Sequence, residues 1–148
     1  MMDIQECPAA DMAIVTLVIE TLLALVGQRW IGVDEQMQWA PGPLAELLDQ
    51  AALRGEDAVI DNQDYLKIFH YPGKNARTGE VWQHIVEQLG PGNEALQRCR
   101  SEIDVILKQG TLANRIIRSL HGDMSREHML HAYRKLGACL DSNTMFSA

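Results

Sequence analysis

The longest apolar segment of the chain lies close to the N-terminus and predicts a long helix. From Ala9 to Val26, four polar residues interrupt a run of Ala, Val, Leu, Ile and Met: Asp11, Thr16, Glu20 and Thr21. A helix that is apolar on nearly every side is normally buried on most of its surface. We therefore expect this helix to be the central rod of a bundle, or to be covered by polypeptide from elsewhere.

Apolar residues recur at helical spacing along the rest of the chain, and Gly, Pro, Asn and Ser separate the segments. The predicted helices cover 43–54, 61–69, 78–89, 93–107, 112–120 and 125–140, and a short helical turn is expected at 34–39. Asp61 or Asn62 is expected to cap the second of these helices and Thr78 the third. The chain therefore belongs to the mainly α class.

The segment from Met2 to Cys7 is too short for a helix before Pro8, and we interpret it as a brief strand. No partner strand is predicted downstream, and a single strand cannot satisfy its own hydrogen bonds. Either this terminus is coiled, or the strand joins a sheet of another chain, another copy or an N-terminal region. We expect one domain over 1–148, with strand and turn at 1–8, helices over 9–141 and a frayed tail at 142–148.

Composition and charge narrow the function. The 148 residues are 47% apolar and 22% charged, which is typical of a folded globular protein. A net charge of −7 argues against nucleic acid as a partner, because that binding needs Lys and Arg to neutralise phosphates. The three cysteines are widely spaced, and the sequence shows neither a signal-peptide pattern nor an uninterrupted apolar span. Together these features predict a cytoplasmic protein without a membrane partner.

The sequence contains no complete catalytic motif, so we assign no catalytic residue. His128 and His131 share one face of a helix and could give a metal two nitrogen ligands, but two ligands do not make a site. Surface histidines on an amphipathic helix are the simpler interpretation. An acidic stretch around Asp57, Asp61 and Asp64 could face a magnesium ion, but a solvated loop rich in capping residues is the simpler interpretation.

Three segments resemble the C-terminal end of glutamate-cysteine ligase-like carboxylate-amine ligases. DIQECPAADMAIVTLVIETLLALV is similar to the sheet strand and following helix of that family. VIDNQDYLKIF stands where the family carries a stretch rich in Asn and Arg, and ILKQGTLANRIIRSLHGD is similar to its ILxxGxxAxRQ segment. The order of these segments extends the resemblance over nearly all 148 residues.

The resemblance implies an enzyme that uses ATP and magnesium to activate a glutamate carboxylate as an acyl phosphate, which an amine such as that of cysteine then attacks. In that family a curved antiparallel sheet holds most of the nucleotide and metal ligands, on strands N-terminal to the segments matched here. By resemblance, the residues nearest the substrate are Asp3, Gln5, Glu6, Asn62 and Arg115.

One departure from the family pattern limits this expectation. Gln63, Asp64 and Tyr65 follow Asn62 where the family has arginines, and an acid repels an anionic ligand. We therefore expect the chain to bind no cofactor alone and to serve as scaffold for an active site supplied mainly by other polypeptide. Its partner is expected to be an upstream sheet-forming ligase subunit or a second copy. The alternative is a non-catalytic helical module for homodimerisation or protein interaction.

Overall fold

The computed structural model describes residues 7–27 and 41–147, and within them the chain is mainly α-helical, as predicted. The helices are α1 Pro8–Val26, α2 Pro41–Arg54, α3 Gln63–Ile68, α4 Thr78–Leu89, α5 Glu94–Arg98, α6 Arg100–Gln109, α7 Leu112–Ser119 and α8 Arg126–Asp141. A 3₁₀ turn, Gly55–Asp57, follows α2. The predicted N-terminal strand before Cys7 and the predicted turn at 34–39 lie outside the described residues.

The chain divides into two compact units. The first unit contains the residues up to Thr16 and those from Gln97 onwards, so it holds the start of α1 together with α6, α7 and α8. The second unit is Leu17–Leu96, which contains the rest of α1, α2, α3 and α4. The expectation of a single domain over 1–148 stays a prediction.

The second unit contains a small antiparallel sheet that the sequence pattern did not predict. Its strands are β1 Val59–Ile60 and β2 Ala76–Arg77, with Val59 opposite Arg77 and Ile60 opposite Ala76. Strands of two residues are too short to show the alternation that identifies a strand in a sequence. The carbonyl of Ala58 accepts hydrogen bonds from both the backbone N–H and the hydroxyl of Thr78, at 2.8 and 3.0 Å, and this ties the sheet to the start of α4.

Several helix starts follow from side-chain caps. Asn62, predicted as a possible cap, accepts a hydrogen bond from the N–H of Tyr65 at 3.1 Å. Thr78 is not the cap of α4: Arg77 precedes the helix, and the Glu80 carboxylate accepts its N–H at 2.7 Å, while the Thr78 hydroxyl bonds to Ala58. The local sequence pattern fits Thr78 as a cap, but its hydroxyl instead bonds to a residue 20 positions away in the chain.

The long helix predicted over 93–107 is two helices. α5 ends at Arg98 and α6 begins at Arg100, with Cys99 between them at φ −108° and ψ 14°. These angles lie outside the helical region, so the hydrogen-bond pattern restarts at this residue. The Cys99 carbonyl accepts the N–H of Ile103 at 3.0 Å, which is the first bond of the new helix.

Within the described residues one face of α1 is buried and the opposite face is exposed, so α1 is not a central rod covered on most sides by these residues, and cover by polypeptide from elsewhere stays a prediction. The buried face consists of small and apolar side chains at helical spacing: Ala10, Ala13, Leu17, Thr21 and Ala24. The Thr21 hydroxyl donates to the Leu17 carbonyl at 2.7 Å, which satisfies it inside the protein. On the opposite side of the helix Ile19 and Leu22 are 48% and 54% exposed.

By length and hydropathy, α1 could cross a membrane. The most apolar 18-residue window has a mean hydropathy of 2.1, and 33% of that window is buried inside the protein. Helices in the cores of soluble proteins meet the same criterion, so this property alone does not separate the two environments.

The residues after α8 are packed against the first unit, so the expectation of a frayed tail over 142–148 is wrong for 142–147. Phe146 is fully buried, and the Lys135 ammonium lies 4.9 Å from the centre of its ring. Asn143 accepts a hydrogen bond from the N–H of Ala9 at 3.1 Å, near the start of α1. An apolar ring with no exposed surface anchors a short terminal segment that sequence alone treats as loose.

Candidate functional site

A groove in the second unit lies beside the segment that resembles the substrate-proximal stretch of the ligases. Its cavity has a volume of about 370 Å³. Leu44, Leu47, Leu48 and Ala51 of α2 form one wall, and Ala58, Val59, Ile60, Tyr65 and Thr78 form the other. The lining is almost entirely apolar, which suits an apolar segment of polypeptide better than a phosphate.

The wall formed by α2 is incompletely covered. None of its 14 residues is buried, although its leucines follow an amphipathic pattern. Leu48 is 65% exposed and Leu53 is 78% exposed. A helix of this length is marginal in water unless its apolar face is packed, so the described residues leave α2 short of the cover it needs.

Asn62 lies next to this groove and has a structural role. Its side-chain oxygen caps α3, and the next lining residue, Tyr65, supplies the N–H that it accepts. Burial raises the pKa of the Tyr65 hydroxyl above its ordinary value, because the charged form loses its hydration there. The cap fixes the position at which the chain leaves β1 and enters α3.

The acids around the groove are engaged in exposed ion pairs. Asp57 lies 3.4 Å from the Arg77 guanidinium, and Asp64 lies 2.7 Å from the Lys67 ammonium. Within residues 7–27 and 41–147, no three His, Cys, Asp or Glu side chains come together in a way that could hold a metal ion. The magnesium hypothesis for Asp57, Asp61 and Asp64 therefore gains no ligand set from the described residues.

Arg115, the second described residue assigned by resemblance, is a fully buried part of the first unit. Its Nε donates to the Gly110 carbonyl at 3.1 Å, and its Nη1 donates to the Phe146 carbonyl. The guanidinium thus joins the loop before α7 to the C-terminal tail. The described hydrogen bonds of Arg115 therefore go to backbone carbonyls, and its proximity to a substrate stays a prediction.

Asn62 and Arg115 belong to different compact units, and the remaining residues assigned by resemblance, Asp3, Gln5 and Glu6, lie outside the described residues. Of the described candidates, Asn62 therefore caps a helix and Arg115 donates hydrogen bonds to backbone carbonyls. No shared catalytic arrangement follows from them.

His128 forms an exposed cluster at the start of α8. Its Nδ1 lies 2.7 Å from an Asp123 carboxylate oxygen and 3.1 Å from the Ser125 hydroxyl. A Ser-His-Asp catalytic arrangement needs Ser and Asp on opposite ring nitrogens, whereas here both face the same one. Hydrogen bonds from the Ser125 backbone and side chain, with a smaller effect of His128, lower the pKa of Asp123. The cluster caps the helix, and His131 takes no part in it among the contacts described.

A comparison of the chain with known protein families, with curated proteins and with solved structures found no match. The arguments for function therefore rest on the resemblance of the sequence segments and on the surfaces described above.

Proposed function

We propose that this chain is the helical C-terminal part of a carboxylate-amine ligase of the glutamate-cysteine type, and that it acts as scaffold for an active site built mainly by other polypeptide. The groove between α2 and β1 carries the proposal. It is an apolar surface without sufficient cover, and it adjoins Asn62, which the resemblance puts near the substrate. Its occupant is the sheet-bearing, ATP-binding part of the ligase.

The roles of the described polar residues support scaffold rather than catalysis. Arg115 is engaged by two backbone carbonyls, and Asn62 by a helix N-terminus. At the groove, the cations Arg77 and Lys67 are paired with Asp57 and Asp64 of this chain. In this proposal the other polypeptide binds ATP and magnesium, and this chain holds that polypeptide in position.

The test begins with the solution mass of the purified chain, measured by light scattering alone and with the protein encoded immediately upstream. We expect a stable complex, and we expect ATP-dependent joining of glutamate and cysteine only when both proteins are present. Mixtures that never associate and never release phosphate would refute the proposal.

A matched pair of variants locates the contact. Leu48→Glu puts a charge on the groove wall at a side chain that is 65% exposed, so the fold should survive while the complex weakens about tenfold or more. Leu140→Glu makes the same change at a side chain that is 53% exposed on α8 and should leave the complex intact. Equal effects of the two variants would place the contact elsewhere.

The second candidate is a non-catalytic interaction module. The observation in its favour is that two apolar surfaces, the groove and the outer face of α1, remain uncovered by the described residues. Complex formation with an upstream protein that shows no ligase activity under any substrate combination would favour this candidate.

A further inference from the structure

The backbone of β1 has an outer edge that points away from β2. In an antiparallel pair, residues that exchange hydrogen bonds with the partner strand alternate with residues whose N–H and C=O groups point away from it. The Thr78 N–H donates to the Ala58 carbonyl at 2.8 Å, so these two residues bond across the sheet. The next pair, Val59 opposite Arg77, therefore does not, and the N–H and C=O of Val59 point outwards.

Only one of the two sheet edges is occupied by described residues. The Arg77 N–H, which points away from β1, donates to the Glu80 carboxylate at 2.7 Å. Within residues 7–27 and 41–147, the outward backbone groups of Val59 take part in no such bond, and Val59 is 48% exposed. An unpaired strand edge is a template on which a further strand can pair.

The free edge borders the apolar groove. Val59 and Ile60 line the groove opposite α2, whose Leu48 is 65% exposed. An extended segment paired with β1 directs every second side chain to one face, so it can fill the groove while its backbone bonds to Val59. A helix satisfies its own backbone groups and has none to offer this edge. Backbone hydrogen bonds beside an apolar pocket are the combination that recognition by strand addition uses.

The charge beside the edge selects the composition of the added strand. Asp61 directly follows β1, is exposed, and takes part in no ion pair within the part of the chain that the structure describes. The nearby acid Asp64 is already paired with Lys67, at 2.7 Å. Opposite charges on facing residues of adjacent strands attract each other, and like charges repel. A Lys or Arg two residues from the one opposite Val59 therefore complements Asp61.

We propose that β1 accepts an added strand along its outer edge: an extended segment of the partner, with apolar side chains towards the groove and a Lys or Arg facing Asp61. A sheet of two strands is marginal by itself, and a third strand stabilises it. The identity of the partner rests on the proposed function, whereas the mode of binding rests on β1 and the groove.

Synthetic peptides test the mode of binding without the partner protein. The full, isotope-labelled chain is titrated by NMR with a peptide of about six residues, the usual strand length, in which Val alternates with Thr and one Lys lies two positions from the central Val. We expect a dissociation constant below about 1 mM and slower solvent exchange of the Val59 amide. The same peptide with N-methylated amides should bind at least about fivefold more weakly, because it lacks donors. An amphipathic helical peptide of equal apolar content controls for apolar adhesion and should bind more weakly than the strand peptide.

A matched pair of variants tests the backbone at Val59. Val59→Pro removes the outward N–H and keeps the bond between Ala58 and Thr78. Ala58, at φ −59° and ψ 132°, already has the extended conformation that a residue before proline adopts. We expect Val59→Pro to weaken peptide binding at least about tenfold, and Val59→Thr, which keeps the N–H, to change it less than about twofold. Circular dichroism verifies that both variants are folded.

Asp61→Asn tests the charge. It should weaken binding of the Lys peptide by about twofold to fivefold and leave binding of a peptide with Gln in place of Lys unchanged. An equal change with both peptides would contradict the assignment of a cation to this position.

Three outcomes overturn the proposal: no binding of the strand peptide, equal binding of the N-methylated or the helical peptide, or equal effects of Val59→Pro and Val59→Thr. The comparison of peptides uses the wild-type chain, so it decides the matter even where a variant does not fold. If the strand peptide binds and the upstream protein does not, the proposed function fails while β1 remains a strand-binding edge. A ligase complex that Val59→Pro leaves intact overturns the strand addition alone.

Discussion

Replacing Arg115 by Met should destabilise the first unit by about 3 kcal/mol. Arg115 has no exposed surface, and its guanidinium donates to the carbonyls of Gly110 and Phe146, both buried residues. Met keeps much of the unbranched apolar stem of Arg and removes every donor. The substitution therefore tests the hydrogen bonds rather than the packing.

The magnitude follows from the two carbonyls left without this donor. Each buried polar group that loses its partner costs about 1–3 kcal/mol, which gives about 2–6 kcal/mol for the pair. Part of this loss is offset, because the variant no longer has to bury a charged guanidinium. A net effect of about 3 kcal/mol is a large fraction of the 5–15 kcal/mol that typically separates a folded domain from its unfolded state.

Urea unfolding followed by circular dichroism measures the effect as a shift of the midpoint at unchanged slope. The matched control is Arg134→Met on α8, an exposed arginine whose replacement should change the free energy of unfolding by less than about 0.5 kcal/mol. If Arg115→Met unfolds at the same urea concentration as this control, the two carbonyls do not depend on the guanidinium, and the reasoning fails.

Two further predictions concern the tail and the start of α8. Phe146→Ala removes a fully buried ring and should destabilise the first unit by about 3–5 kcal/mol, measured by the same unfolding assay; an unchanged midpoint would show that the tail is not anchored. Because the pKa of Asp123 is lowered, its carboxylate stabilises the fold at pH values above the ordinary carboxyl pKa, and this stabilisation is lost as the pH falls through the lowered pKa. Asp123→Asn should remove this part of the acid dependence. Thermal unfolding of both proteins across acidic pH measures the difference.

Local signals in the sequence identified most of the helices. Asn62, one of the two residues predicted as the cap of α3, does cap that helix, Ser125 caps α8, and the Gly90-Pro91-Gly92 segment separates α4 from α5. These features depend on hydrogen bonds between residues three apart, so a sequence pattern contains them. The order of helices in the described residues therefore followed from the sequence.

Features that depend on distant residues did not follow from the sequence. The pairing of β1 with β2 joins residues on either side of α3, and strands of two residues leave no periodic pattern. The backbone carbonyl of the buried Phe146 accepts a hydrogen bond from Arg115, which lies 31 residues earlier in the chain. The exposure of the outer face of α1 was also missed, because composition shows that a helix is apolar on all sides but not which side the protein covers.

The burial of Arg115 changes what the resemblance to the ligases can mean for this chain. The Arg115 guanidinium donates to two backbone carbonyls inside the first unit and has no exposed surface, so it presents no N–H to a phosphate or a carboxylate in solution. Gln63, Asp64 and Tyr65 follow Asn62, and the Lys67 ammonium farther along α3 lies 2.7 Å from the Asp64 carboxylate. Arg115 and Asn62 therefore have structural roles: Arg115 fixes the C-terminal tail, and Asn62 caps the helix beside the apolar groove. In the function that we propose, such a chain supports catalysis by presenting surfaces to other polypeptide, and the groove at α2 is the surface on which that proposal depends.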